Sequence, residues 1–95
     1  MDVQLLVVQG EPRGKAFHFP PGEFVFGRGP ECHVRPNSAW VSRQHCMLLV
    51  TSQGAMIRDL GSSTGTLVNG LRVVGERVLT TGDRLQLGPV VLEMR

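Results

Sequence analysis

Short apolar runs, broken at close intervals by glycine and proline, are the feature of this sequence that most limits its fold. The chain has twelve glycines and six prolines, which recur in turn clusters such as Glu11-Pro12-Arg13-Gly14 and Pro20-Pro21-Gly22. Inside a helix glycine costs about 1 kcal/mol and proline about 3 kcal/mol, so the sequence argues against an all-helical fold. Apolar runs that alternate with turns every ~8–12 residues are typical of a β-sandwich or barrel.

The apolar runs predict about ten short strands arranged as a two-sheet sandwich. In the last run Val90, Leu92 and Met94 share one face, which is the alternation of a strand with one buried side. Asn69-Gly70 stands between two runs and is a strong signal for a two-residue hairpin turn. No stretch has convincing helical periodicity. The predicted strands are residues 3–8, 16–19, 23–26, 33–35, 46–50, 55–58, 67–68, 72–74, 84–87 and 90–94.

Length, composition and net charge limit the kinds of function that this chain can have. With 95 residues, 41% hydrophobic and 19% charged, we expect residues 1–95 to form a single domain with one core. The net charge is +2 and the arginines are spread singly, so charge does not indicate a nucleic-acid-binding face. Two cysteines make no disulfide framework, and neither a leader nor an apolar run of ~20 residues is found. We therefore expect a cytoplasmic protein that does not bind membranes.

The sequence contains the residue types of two kinds of chemical site but not the arrangement that either one needs. Ser42, His45 and Asp59 are the residue types of a hydrolase triad, but no Gly-x-Ser-x-Gly elbow exposes a nucleophile. Cys32-His33 and His45-Cys46 offer zinc ligands only as adjacent pairs, and adjacent strand residues point to opposite faces. We expect neither catalysis nor a metal site, with the first cysteine in a loop and the second in the core.

Three polar loops carry a more specific pattern. Gly27-Arg28-Gly29 sets one arginine between two residues that let the backbone bend sharply. Ser42 and Arg43 form a second polar tip, and residues 61–66 form a third that is dense in hydroxyl groups. An arginine fork, hydroxyls and backbone amides bind phosphate well, although the third loop lacks the lysine of a nucleotide P-loop. Converging at one end of a sandwich, these loops would form a shallow anion site.

The motifs of these loops follow one another in a specific order along nearly the whole chain. In that order they are Gly27-Arg28, Ser42-Arg43-Gln44-His45, Asp59-Leu60-Gly61-Ser62-Ser63-Thr64-Gly65-Thr66, Val68-Asn69-Gly70 and Gly82-Asp83-Arg84-Leu85. The series resembles the forkhead-associated (FHA) domain. The resemblance implies a β-sandwich of about eleven short, mostly antiparallel strands, whose loops at one end bind phosphothreonine peptides.

The resemblance also assigns roles to individual side chains. Arg28 matches the arginine that grips the phosphate, and Ser42 matches a serine whose hydroxyl contacts it. Arg43 falls where the family often has a basic or amide side chain near the phosphate. Ser63 matches a Thr or Ser position whose hydroxyl reaches the phosphate. The residues that match positions bracing or shaping the loops are Gly27, His45, Gly65 and Asn69.

Thr64 departs from the family pattern. It stands where the family usually has an asparagine that holds the backbone of the bound peptide. A threonine can donate only one hydrogen bond through its single oxygen, whereas an amide donates through its nitrogen and accepts through a separate oxygen. Losing such a clamp costs on the order of 1 kcal/mol. Trp40 precedes the second loop, where it either contacts residues flanking the phosphothreonine or packs beneath the loop.

The resemblance implies a phosphothreonine-dependent protein–protein interaction module of Ser/Thr kinase signalling. Its partner would be a phosphothreonine-containing protein, such as a Ser/Thr protein kinase or its substrate, rather than nucleic acid or a membrane. No cofactor is implied, and no bond is made or broken. The alternative, which Thr64 favours, is an FHA-fold scaffold or oligomerisation module that binds without phosphate. A nucleic-acid-binding β-barrel would need exposed stacking aromatics, for which Trp40 is the only obvious candidate.

Overall fold

The fold consists entirely of β-strands, turns and loops in the part of the chain that the computed structural model describes, residues 2–95. No helix in this range is long and apolar enough to cross a membrane. The strands are β1 (Val3–Gln9), β2 (Ala16–Phe19), β3 (Gly22–Phe26), β4 (Cys46–Thr51), β5 (Gly54–Asp59), β6 (Thr66–Val68), β7 (Leu71–Arg72), β8 (Glu76–Leu79), β9 (Arg84–Leu87) and β10 (Val90–Met94).

The strands form two antiparallel sheets. One sheet has six strands in the order β2-β1-β10-β9-β6-β7, and the other has four in the order β3-β4-β5-β8. All eight strand pairs are antiparallel. In β4 the side chains of Cys46, Leu48 and Val50 are buried, while Met47 and Leu49 on the other face are only partly covered. The predicted two-sheet, all-β sandwich is confirmed.

The inward faces of the strands make one hydrophobic core. Phe26 is fully buried, and its ring lies 5.7 Å from that of Phe19 between centroids. Phe17 and Phe24 pack against the same cluster from its edge. Burying one side chain of this kind contributes roughly 1.5–3 kcal/mol. The second cysteine, Cys46, is in the core as expected, and burial raises the pKa of its thiol far above the ordinary value.

Three segments differ from the sequence prediction at the sheet edges. β8 is absent from the prediction because it is an edge strand with charged residues at its start, and its Val78 is 60% exposed. In place of a strand at 33–35, a single parallel bridge joins Phe26 to Val34. β7 ends at Arg72, so Val74 lies outside it and is 88% exposed. Edge segments bury little, and apolar patterns therefore mark them poorly.

The register of the strands brings the polar loops to one end of the sandwich. Phe26 pairs with Cys46 and Cys46 pairs with Asp59, so β3 ends, β4 begins and β5 ends in one row. Thr66 begins β6 in the other sheet, and its hydroxyl donates to Asp59 Oδ1 at 2.7 Å. Residues 27–45 and 60–65 therefore emerge together, as the sequence predicts.

Candidate functional site

The first loop lies against the second along their backbones. The Arg28 amide donates to the Ser42 carbonyl at 3.0 Å, and the Gly29 amide donates to the Arg43 carbonyl at 2.9 Å. A Cβ at Gly27 would lie 2.2 Å from the Arg43 carbonyl oxygen. Glycine at position 27 is thus required by the close approach of the two backbone segments.

Arg28 has its guanidinium fixed at one edge. The side chain is exposed, and its Nε donates to the Val41 carbonyl. An arginine has five N–H donors in a rigid plane, so this bond leaves both terminal nitrogens available. The arginine therefore presents a pre-oriented fork of the kind that grips a phosphate in two places.

Two serine hydroxyls meet between the second and third loops. Ser42 Oγ lies 3.3 Å from Ser63 Oγ and accepts a hydrogen bond from the Ser63 amide at 3.0 Å. The Ser42 side chain is half-buried and Ser63 is exposed. The pair brings together side chains from loops that are 21 residues apart in the chain.

His45 ties the loops together from beneath. It is fully buried, its Nδ1 accepts from the Ser42 amide at 3.1 Å, and its Nε2 lies 2.9 Å from the Gly65 carbonyl oxygen. Because Nδ1 accepts a hydrogen bond and is therefore unprotonated, Nε2 carries the ring proton and donates to that carbonyl. Gly65 has a φ of 89°, which favours glycine. The histidine holds the backbones of the two loops that carry Ser42 and Ser63.

Asp59 organises the third loop from its first residue. Its Oδ2 accepts from the amides of Gly61 at 3.0 Å and Ser62 at 3.2 Å, and its Oδ1 accepts from the Ser62 hydroxyl at 2.5 Å and the Thr66 hydroxyl at 2.7 Å. Burial by itself raises the pKa of this carboxyl, but the hydrogen bonds from Ser62, Thr66 and Gly61 outweigh it and hold the pKa below its ordinary value. The carboxylate thereby keeps the loop folded, while Ser63 and Thr64 at the outer edge of the loop remain exposed.

Thr64 and Trp40 form another link between the second and third loops. Thr64 Oγ1 donates to the Trp40 carbonyl at 2.7 Å, so its only donor is already engaged within the chain. The Trp40 side chain is 67% exposed, which rules out the reading that it packs beneath the loop. The exposed threonine thus links the third loop to the second, and the indole of Trp40 faces solvent.

The charged rim of the site is mainly basic. An open cleft of about 470 Å³ is lined by Arg28, Arg35, Pro36 and Asn37. The Arg43 side chain is also exposed, and its carbonyl accepts from the Cys32 thiol at 2.9 Å. Arg28, Arg35 and Arg43 form no ion pair with any residue in the range 2–95. Their charges are available to an anionic ligand.

Comparison with known families identifies what these loops belong to. The family model of the FHA domain matches residues 24–88, a range that contains all three polar loops. The chain belongs to the FHA domain family.

Curated relatives and solved structures agree with this assignment. The chain is 38% identical over 76 residues to the proliferation marker protein Ki-67 of Homo sapiens, covering 78% of the chain and 2% of that protein. It is 35% identical over 75 residues to the FHA domain-containing protein FhaA of Mycobacterium tuberculosis, covering 79% and 14%. It thus spans a small part of these relatives. A structure from a study of phosphothreonine-dependent FHA domain interactions superposes with a TM-score of 0.89 at 30% identity, over 100% of this chain and 96% of that one.

This FHA domain does not assemble the hydrolase-type trio. Ser42 contacts His45 through its backbone amide, while its hydroxyl bonds to Ser63. The second nitrogen of His45 bonds to Gly65, and Asp59 bonds to residues of its own loop and β6. The histidine is placed to hold backbone rather than to take a proton from the serine.

Asn69 lies away from these loops, at the opposite end of β6. It adopts a φ of 52° in the turn between β6 and β7. Its Nδ2 donates to Asp83 Oδ1 at 2.9 Å, and its Oδ1 accepts from the Arg84 amide at 3.0 Å. Asn69 therefore braces the β6–β7 turn against the turn before β9.

The sequence does not reveal the roles of two residues of the site. Arg35 lines the same cleft as Arg28 but is one of several singly spread arginines in the sequence. Asp59 belongs to the loop motif, yet its four hydrogen bonds become visible only in the folded loop. A basic residue just before Pro36, in the loop between Arg28 and Ser42, is the one signal that could have pointed to Arg35.

Proposed function

We propose that residues 1–95 act as one FHA domain that binds a phosphothreonine-containing protein. The observation that carries this proposal is the Arg28 fork, fixed on the Val41 carbonyl one residue before Ser42, together with the Ser42–Ser63 hydroxyl pair. A phosphothreonine brings about 1.5–2 negative charges and three acceptor oxygens at neutral pH. The arginine supplies paired N–H donors and the serines supply O–H donors, so the groups match the ligand.

We infer the class of binding partner from the family to which the chain belongs. The solved FHA domain that superposes over the whole chain comes from a study of phosphothreonine-dependent interactions. We propose the same ligand class here, with Arg28, Ser42, Arg43 and Ser63 as the phosphate-binding side chains. The partner is then a Ser/Thr protein kinase or a protein phosphorylated by one, encountered in the cytoplasm. The domain acts by binding alone, without catalysis.

Titration calorimetry on Arg28→Ala tests this function. A phosphothreonine peptide selected from a library is expected to bind, and its unphosphorylated form is not. Charge-assisted hydrogen bonds are worth about 1.5–3 kcal/mol, so the substitution should weaken binding roughly tenfold to a hundredfold. Arg13→Ala, an exposed arginine in the turn after β1, is the matched control and should leave the affinity unchanged. Unchanged affinity in Arg28→Ala would refute the proposed site.

One observation favours a second function, a scaffold that binds without phosphate. Thr64 stands at the position expected to hold the backbone of the bound peptide, and its donor is spent on the Trp40 carbonyl. A partner recovered equally well before and after phosphatase treatment would establish this alternative. Loss of the partner on phosphatase treatment supports phosphothreonine binding instead.

A further inference from the structure

A second cavity lies next to the cleft lined by Arg28, Arg35, Pro36 and Asn37. We call that cleft the phosphate cleft, because Arg28 is the proposed phosphate-binding arginine. The second cavity measures about 220 Å³ and lies between residues 33–36 and the six-stranded sheet. Phe17, Val90, Leu92 and Pro12 supply apolar lining. Small-molecule pockets usually measure about 300–1,000 Å³, so this space suits one side chain of a peptide better than a separate ligand. We call it the flanking cavity.

The rim of the flanking cavity is basic. Lys15 and Arg35 border it, and both side chains are exposed. Lys15 Nζ lies 5.1 Å from the centroid of the Phe17 ring, so the cation rests on the apolar wall. Neither basic group has an ion-pair partner in residues 2–95, and Glu11 is the one acidic residue in the lining. Cations above an apolar floor match an apolar side chain with a carboxylate beside it.

The flanking cavity and the phosphate cleft share a wall. Arg35 and Pro36 line both of them. The two residues just before this shared segment are held by their backbone, since the His33 amide donates to the Val25 carbonyl at 2.8 Å and the Gly27 amide donates to the Val34 carbonyl at 2.9 Å. A peptide anchored by its phosphate at Arg28 therefore meets a pre-formed ridge that leads to the flanking cavity.

We propose that the flanking cavity selects the phosphopeptide sequence. The preferred peptide carries an apolar residue next to an acidic residue on the side of the phosphothreonine that crosses the Arg35-Pro36 ridge. The apolar side chain enters the flanking cavity, and the carboxylate pairs with Lys15 and Arg35. This inference rests on the proposed function, because the phosphate at Arg28 anchors the peptide.

A scanning titration tests the selection with the full chain. The parent is a phosphothreonine peptide with an alanine background, and a Leu-Asp pair is moved through successive positions on both sides. We expect one spacing on one side to bind on the order of tenfold more tightly than the parent, because a partly buried leucine and a charge pair are added. Replacing Leu-Asp by Leu-Asn at that spacing should remove the charge-dependent part of the gain.

Substitutions of Lys15 and Arg35 test whether the gain in peptide affinity comes from the flanking cavity. Lys15→Gln should lower the affinity for the Leu-Asp peptide and leave the parent peptide unchanged, since Lys15 does not line the phosphate cleft. Arg35→Gln should lower the gain as well. Arg77→Gln on β8 is the matched control and should change neither affinity. Amide chemical shifts of Lys15, Phe17 and Val34 should move with the Leu-Asp peptide and not with the parent.

Each outcome separates this inference from the proposed function. If the parent peptide binds in an Arg28-dependent manner but no spacing gains affinity, selection by the flanking cavity is wrong and the proposed function stands. A gain that survives both Lys15→Gln and Arg35→Gln also overturns the selection. If no phosphothreonine peptide binds, or the Leu-Asp peptide binds equally without phosphate, the proposed function fails and the selection falls with it.

Discussion

At the scale of single residues, Gly27 shows how the absence of a Cβ sets the geometry of the whole site. The constraint is distance, because a Cβ there would lie 2.2 Å from the Arg43 carbonyl oxygen and 2.9 Å from that of Ser42. Both atoms belong to backbone that also receives the amides of Arg28 and Gly29. Any added atom must therefore push apart the two loops that carry Arg28 and Ser42.

Gly27→Ala is accordingly expected to lower both stability and phosphopeptide affinity. Overpacking of this kind costs about 1–3 kcal/mol, measured by chemical unfolding, and the displaced loop should weaken binding in the same variant. Gly29→Ala is the matched control, because the three atoms nearest its added Cβ all belong to the flexible carboxylate end of Glu31. Equal effects of the two substitutions would contradict the backbone-contact argument.

At the scale of elements, the loop between β5 and β6 is folded around one carboxylate. Asp59 accepts hydrogen bonds from two amides and two hydroxyls, and these bonds keep its pKa below the ordinary value of 3.8 against the opposing effect of burial. A carboxyl with a lowered folded-state pKa stabilises the fold above the unfolded pKa, and this stabilisation is lost as the pH falls through the folded pKa. The loop that presents Ser63 should therefore loosen in acid.

Asp59→Asn tests this pH dependence. An amide nitrogen cannot accept from the loop amides, so the variant should be less stable than the parent at neutral pH. The difference in stability should narrow as the pH falls from about 4, near the ordinary pKa that applies to the unfolded chain, through the lower pKa of the folded carboxyl. Asp2→Asn removes the same charge at an exposed position and should show no such trend. A gap that stays constant down to acid pH would exclude the carboxylate as its source.

The strands and loops also show which features of the structure can be predicted from the sequence. β2, β9 and β10 have the bounds that the sequence predicts, because each has apolar residues on a buried face and turn residues at its ends. β8 escapes prediction because it begins with two charged residues and only Leu79 among its four side chains is buried. In the site, motif order indicates Arg28 and Ser42, whereas the Thr64–Trp40 bond depends on loops that meet only in the fold. The sequence therefore identifies the residue types of the site. It does not show which hydrogen-bond donors are already engaged within the folded chain.

At the scale of the whole molecule, the charge distribution separates binding of one phosphate from binding of a polyanion. The net charge is only +2, and Arg58, Arg84 and Arg95 are engaged in ion pairs with Glu76 or Glu93. The arginines without ion pairs at the site, Arg28, Arg35 and Arg43, lie at one end of the sandwich. Such a molecule has little long-range attraction for nucleic acid but enough local charge for one dianion.

The salt dependence of binding tests this argument. A protein that contacts 6–10 phosphates of a duplex loses roughly 10³–10⁵ in affinity between 50 and 200 mM salt. The phosphothreonine peptide should lose less than about tenfold over the same range, because a single phosphate is neutralised by a few side chains. An unrelated oligonucleotide should not compete with it. A steep salt dependence, or competition by the oligonucleotide, would mean that a basic surface rather than the Arg28 site governs binding.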